Sequence, residues 1–319
     1  MSNRYHSCFR PRWLAAALLA VPLWAQEIDR MPGEASYKFL KLPLSPRVVG
    51  LAGAGVALAD EAGDLDLNPA APATDSARLV LGKGYPFAQF GANSSHITWS
   101  IPYRAYRILV NARYLGFDDL RGFDENGQAT APYGAHTLKL QSGMAGTYGA
   151  LDWGATLNYA QNSVASANYG TAMLNGGLRD RLLPGLYAGL SVINFDFWRS
   201  KARMAGNADP FPPTAVQAGL AYRRPLGRSF TGALAVDART RNDEKLTWLA
   251  GAEAGWQEMI FVRVGYPLGE PDPGLGLGLG LRWSLFRFQY AYQGHDTFDV
   301  LDGGESLSPG HFFSLEISY

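Results

Sequence analysis

The chain is 319 residues long, and its 28 Lys and Arg balance 28 Asp and Glu. That neutrality argues against a nucleic-acid partner, which leaves a basic footprint. A charged share of only 18%, with 37 Gly and 13% aromatics, does not fit a disordered chain and sits poorly with a helical enzyme, because Gly costs roughly 1 kcal/mol in a helix interior relative to Ala.

Residues 1–25 read as a cleaved signal peptide. Arg4, Arg10 and Arg12 form a positive n-region, Trp13–Trp24 is the apolar core, and Ala25 offers a small residue at the cleavage point. The core is about a dozen residues and contains Pro22, so as a helix it is too short for a bilayer of about 30 Å. An uncleaved anchor is the competing reading. The only cysteine, Cys8, departs with the signal. The mature chain then has 319 − 25 = 294 residues, with 25 basic against 28 acidic groups, a net charge of −3. Without cysteine it has no disulfides, no thiol catalysis and no Cys-ligated metal.

Residues 26–76 do not alternate like strands. They carry Phe39-Leu40, Leu42-Pro43, Ser45 and Arg47, a Gly/Ala-rich run from Gly50 through Gly53 and Gly55 to Ala59, four acids (Asp60, Glu61, Asp64, Asp66), and Asn68-Pro69-Ala70. The glycines lack the GxGxxG spacing and βαβ context of a nucleotide loop. The acids lack an EF-hand pattern and read as a solvated or lumen-facing turn rather than a calcium site.

From residue 77 the chain alternates with period two. Fourteen strands are expected, at about 77–85, 94–103, 106–116, 136–145, 151–161, 168–178, 185–195, 214–223, 229–239, 246–256, 259–268, 274–284, 286–294 and 311–319. The most regular places Leu275, Leu277, Leu279, Leu281, Trp283 and Leu285 on one face and Gly274, Gly276, Gly278 and Gly280 on the other. Short and mostly longer connections alternate, as in outer-membrane barrels. The apolar face would be a large exposed patch in water but suits lipid, where a closed barrel pairs every backbone group. The fold class expected is therefore all-β: a transmembrane antiparallel β-barrel of about 14 strands over 77–319, with an N-terminal hatch or plug segment over 26–76. Phe313, Leu315, Ile317 and Tyr319 alternate at the C-terminus and resemble the closing strand that barrel-assembly machinery recognises.

The ordered motif Phe39-Leu40, Leu42-Pro43, Ser45 to Arg47, Gly50–Ala59 and Asn68-Pro69-Ala70 resembles the PorV/PorQ family of FadL-like outer-membrane proteins. Looser matches at Phe123–Gly127, Ile193-Asn194 and Phe211-Pro212 lean to the PorQ branch. The run from Leu51 to Gly55 lacks the adjacent glycines common in that family, and Ala71 follows Asn-Pro-Ala where Gly or Leu is usual. The resemblance implies a hatch folded into or under the lumen, and a non-enzymatic role in type IX secretion. FadL-like relatives imply the alternative, a channel for hydrophobic small molecules, although lumen-facing Gly274, Gly276, Gly278, Asp237 and Arg239 are small or polar.

His96, His136, His295 and His311 have no metal-ligand spacing, and no Ser-His-Asp order is supported. No catalytic residue, metal or cofactor is expected. The expected partners are outer-membrane lipid, the barrel-assembly machinery, and type IX secretion components or sorting-domain cargo. Acids at Asp118, Asp119, Asp124 and Glu125, and at Asp296, Asp299, Asp302 and Glu305, fall in connections and read as solvated loops or divalent-ion bridges.

Overall fold

The computed structural model describes residues 37–43, 45–70, 76–87, 91–120, 122, 126–164, 167–198, 211–268, 274–294 and 309–319. The signal peptide, His295 and the acids Asp124, Glu125, Asp296, Asp299, Asp302 and Glu305 lie outside these residues.

Among the described residues, fourteen antiparallel strands close a barrel in sequence order, each strand pairing with its chain neighbours and β1 with β14. They are β1 (Arg78–Tyr85), β2 (Asn93–Tyr103), β3 (Tyr106–Leu120), β4 (Tyr133–Tyr148), β5 (Leu151–Val164), β6 (Ala167–Leu183), β7 (Leu186–Trp198), β8 (Ala215–Pro225), β9 (Phe230–Arg241), β10 (Glu244–Trp256), β11 (Ile260–Leu268), β12 (Gly276–Trp283), β13 (Phe286–Gln293) and β14 (Gly310–Ser318). No helix among the described residues is long and apolar enough to cross a membrane, which says nothing of strands.

Burial follows the alternation. Leu277, Leu279 and Leu281 are exposed on the outer face, as are Val262 and Val264 beside them and Leu234 and Val236 on β9. The same strands turn Arg263, Asp237, Gly276 and Gly278 inward, where they are buried. The outside is apolar and the inside polar or small, the reverse of a water-soluble globule.

One end of the barrel has tight turns, such as Arg104-Ala105, Pro184-Gly185 and Ser284-Leu285. The other end carries the longer connections. Two loop-end connections depart from the alternation expected from sequence: β9 and β10 are joined by Asn242-Asp243 alone, and only residues 165–166 separate β5 from β6. The wall is also uneven. Strands β4 and β6 have 16 and 17 residues, whereas β1, β12 and β13 have 8. At about 3.3 Å per residue the tall wall extends roughly 25 Å further along the strand. Strands β3 to β6 all continue past their expected limits, and the turn expected at 179–184 is reduced to Pro184-Gly185 because β6 runs to Leu183.

The β6–β7 ladder has three register shifts. Asn194 lies at one of them with φ +57°, its N–H donating to Asn175 Oδ1 at 2.7 Å. An Asn side chain tolerates this left-handed backbone better than most residues do.

Residues 37–43 and 45–70 pack against inward faces of strands around the barrel. They form two 3-10 turns (Lys38–Lys41 and Ala62–Asp66) and one short helix, α1 (Pro46–Gly50). Ser45 caps α1 by accepting the Arg47 N–H, and Pro46 takes the first helical position, where no N–H is needed.

Candidate functional site: an ion network and an apolar chamber inside the barrel

The inward-facing residues include a charged network toward the turn end and an apolar cluster at the loop end of β3, β5 and β6. Arg47 is the hub of the charged zone. It emerges from α1, is buried, and donates from Nε to Glu253 Oε2 on β10 at 3.0 Å. Its Nη1 donates to Asp64 Oδ2 at 3.2 Å, to Asp60 Oδ1, and to the Leu58 carbonyl at 3.3 Å. The wall answers from several strands. Arg223 on β8 reaches Asp60 at 2.6 Å, Arg263 on β11 reaches Glu253 at 2.7 Å, and Arg287 on β13 reaches Glu61 at 2.8 Å. Gln289 donates to Glu61 at 2.6 Å, and Arg78 on β1 donates to the Asp60 carbonyl at 2.9 Å. Glu316 on β14 lies 3.9 Å from both Arg78 and Arg287.

Five arginines thus meet five carboxylates, drawn from the N-terminal segment and six strands. A buried charge is tolerable when it is paired and hydrogen-bonded like this. The four acids read from sequence as a solvated or lumen-facing turn are ion-paired inside the barrel. Three belong to this network, and Asp66 instead pairs with Lys139 on β4 at 2.6 Å. No metal-binding group of three or more His, Cys, Asp or Glu occurs among the described residues.

The shared setting separates the acids in proton affinity. Burial raises the Asp60 carboxyl, but Arg47, Arg223 and Arg179 outweigh it and hold the group well below its usual range. Burial raises Asp64 too. There Arg47 is offset by Glu61 and Asp60, and the carboxyl is pushed up to about 7. Its Oδ1 is buried without a hydrogen-bond partner, which suits a proton at that atom.

Other residues of the N-terminal motif meet the wall through backbone. Gly53 and Gly55 adopt φ +83° and +105°, where a side chain is strained. The Gly55 and Val56 N–H groups donate to Asp237 Oδ2 on β9 at 2.7 and 2.8 Å. Gly50 lies so near Gly278 on β12 that a Cβ would come within 2.9 Å of the Gly278 Cα. Asn68 Nδ2 donates to the Val56 carbonyl at 2.9 Å and the Leu178 carbonyl at 3.2 Å, while its Oδ1 accepts from Ala70 N–H at 3.0 Å. The Pro69 carbonyl rests on Gly154 of β5, and Ala70 is fully buried.

The apolar zone gathers Tyr37, Phe39 and Leu42 against Leu115, Ala160 and Met173 of β3, β5 and β6, with Leu40, Phe87, Phe117 and Tyr169 packed around them. The Tyr37 ring meets the Tyr169 ring edge to face at 5.4 Å and lies 6.4 Å from that of Phe39. Beside this chamber, Leu42 and Pro43 border a cavity of about 100 Å³, reached also by Asn194, Gln217 and Arg241. Lys41 pins the loop end of the segment to Asp243 and Glu244, each at 2.6 Å.

At the C-terminus Phe313, Leu315, Ile317 and Tyr319 share the outward face of β14. The Trp99 indole N–H donates to the Tyr319 hydroxyl at 2.9 Å, and Tyr319 exchanges two backbone hydrogen bonds with Ala77. His96 packs flat over Gly82 of the neighbouring strand. His136 and His311 stack on Tyr114 and Tyr290.

The wall half of the network was not singled out from sequence. Its signal was present: Arg223, Glu253, Arg263 and Arg287 are charged residues on the inward parity of apolar-out strands. So was the signal for the aromatic chamber, in Tyr37 and Tyr169.

No protein-family model matches the chain, and no curated protein matches it. Solved structures do. The Pseudomonas putida toluene transporter TodX aligns with a TM-score of 0.56 at 11% identity, covering 90% of this chain and 98% of TodX. The Ralstonia pickettii toluene transporter TbuX aligns at 0.55 and 11% identity, covering 86% and 97%. A Pseudomonas aeruginosa FadL homologue aligns at 0.51 and 10% identity, covering 86% and 98%. The fold is that of the FadL-like outer-membrane barrels.

Proposed function

We propose that the protein is a non-enzymatic outer-membrane channel for hydrophobic small molecules, with residues 37–70 acting as a hatch across its lumen. The observation that carries this reading is the apolar chamber at the loop end, which is occupied by Tyr37 and Phe39 of the chain itself. An apolar contact is non-directional, so a hydrophobic molecule of similar bulk can replace a Phe ring with little loss. The fold shared with two toluene transporters and the apolar outer band support the same reading. In this placement the turn end faces the periplasm, the loop end faces outward, and the ion network closes the direct axial path.

The test is saturable binding of toluene by the purified protein in detergent, followed by titration calorimetry. Phe39→Ala removes the internal competitor and is expected to tighten binding about fivefold to tenfold, since a ligand no longer displaces an occupied state. Absence of saturable binding in both proteins overturns the reading.

The ordered motif from Phe39 to Ala70 favours a second reading, a PorQ/PorV-like barrel in type IX secretion that engages translocon components or sorting-domain cargo. The clamped, charged lumen agrees with an assembly role. Deleting the gene and assaying delivery of sorting-domain cargo to the cell surface tests it, and normal delivery overturns it.

A further inference from the structure

Among the described residues, a hollow borders the ion network. It lies beneath the β12–β13 turn, has a volume of about 110 Å³, and is bordered by Arg78, Arg282, Arg287 and Glu316, with the hydroxyl-bearing Ser284 and Ser318 at its edge. A space of this size holds several waters or one tetrahedral oxyanion.

Three guanidiniums face one carboxylate here. Glu316 stands 3.9 Å from both Arg78 and Arg287, beyond hydrogen-bond distance. The Nε atoms of Arg78 and Arg287 are buried with no hydrogen-bond partner. Arg282 is about half exposed, with only a 3.7 Å contact to the exposed Glu258. Planar guanidiniums at the border of the hollow match the oxygens of a phosphate group. Beside the hollow, Trp283 and Leu285 are exposed at the strand ends, the position of interfacial anchors. Leu281 and Phe288 continue an apolar outer face from there.

We propose that this hollow seats the phosphate of an anionic phospholipid from the periplasmic leaflet, with its acyl chains along the outer faces of β12 and β13. The inference rests on the outer-membrane placement proposed above but not on the channel's substrate. Guanidinium contacts hold the phosphate, Arg282 gates access from the rim, and Trp283 and Leu285 bracket the glycerol region.

The test uses the full chain purified in detergent without phosphate. Native mass spectrometry measures retained phosphatidylglycerol, and calorimetry measures binding of inorganic phosphate. The wild type is expected to retain phosphatidylglycerol and to release it to added phosphate. Arg282→Gln should weaken retention about tenfold, the loss of one charge-assisted contact, and Arg282→Lys should restore part of it. Arg78→Gln should weaken it as well. Heat-modifiable gel mobility confirms that each variant is a folded barrel, and a wild type lacking that mobility fails the membrane placement rather than the seat. Unchanged retention in folded Arg282→Gln and Arg78→Gln overturns the proposal, as does binding of neither probe. Binding of inorganic phosphate without lipid retention keeps the oxyanion seat and overturns its lipid source.

Discussion

Arg47 lies within ion-pair distance of four carboxylates, on Asp60, Glu61, Asp64 and Glu253. Arg47→Ala leaves Asp64 buried and repelled by its acidic neighbours. Removing one partner from a buried ion cluster costs about 3–5 kcal/mol. The expected outcome is protease cleavage within residues 37–70 while the strands stay resistant, read by limited proteolysis. Arg47→Lys should recover only part of the docking, because a lysine cannot reproduce the paired Nε and Nη2 contacts to Glu253. Asp64 makes the hold pH-dependent. Its folded value of about 7 lies above an unfolded Asp near 3.9, so its contribution is full below the unfolded value and lost as pH rises through about 7. Asp60 has the opposite sign: its contribution is present above about 4 and lost as pH falls toward its depressed folded value. Docking should therefore be tightest near pH 4 and weaken as pH rises from about 4 to 7, and Asp64→Asn should remove that decline; proteolysis across pH 3 to 9 checks both. Arg47 and Asn68 stood out in the sequence as motif residues. The burial of Asp60 and Glu61 did not, because beyond nearby Arg47 the charges that make it tolerable lie more than 160 positions away, on Arg223 and Arg287.

Strands were legible because an apolar outer face and a crowded lumen impose strict alternation. Leu277, Leu279 and Leu281 against Gly276, Gly278 and Gly280 show this most plainly, and all fourteen expected strands are present in the barrel. Strand ends were legible only inside the apolar band. The extensions of β3 to Leu120 and of β4 back to Tyr133 lie beyond it, where alternation no longer carries the boundary. The lumenal glycines have a definite partner. A Cβ on Gly265 of β11 would overlap the Leu51 carbonyl group, and one on Gly276 would overlap the Val49 carbonyl oxygen. Gly265→Leu should consequently expel this stretch without opening the barrel. Heat-modifiable mobility should persist, while cleavage of residues 45–70 accelerates at least roughly tenfold, because protease attack follows the undocked population.

Closure joins the chain's ends, with β1 against β14 and Tyr319 bonded to both Ala77 and Trp99. Removing Tyr319 deletes the last outward aromatic and both backbone bonds at this seam. If Phe313, Leu315, Ile317 and Tyr319 form the assembly signal, the truncated chain should show a severalfold lower folded yield in outer-membrane fractions, whereas Trp99→Phe, which loses only the indole hydrogen bond, should assemble nearly normally. Sequence alone determined the all-β class, the strand number and the face each strand turns outward, because alternation is a local property enforced residue by residue. It also set residues 26–76 apart from the strands as an expected hatch, on the motif between Phe39 and Ala70. Only the tertiary structure decided how that segment meets the wall: which arginines neutralise its acids, which glycines admit its backbone, and that Tyr37 and Phe39 occupy the apolar chamber. Those contacts join positions that neighbour one another only after the sheet has curled and closed, so no local pattern encodes them.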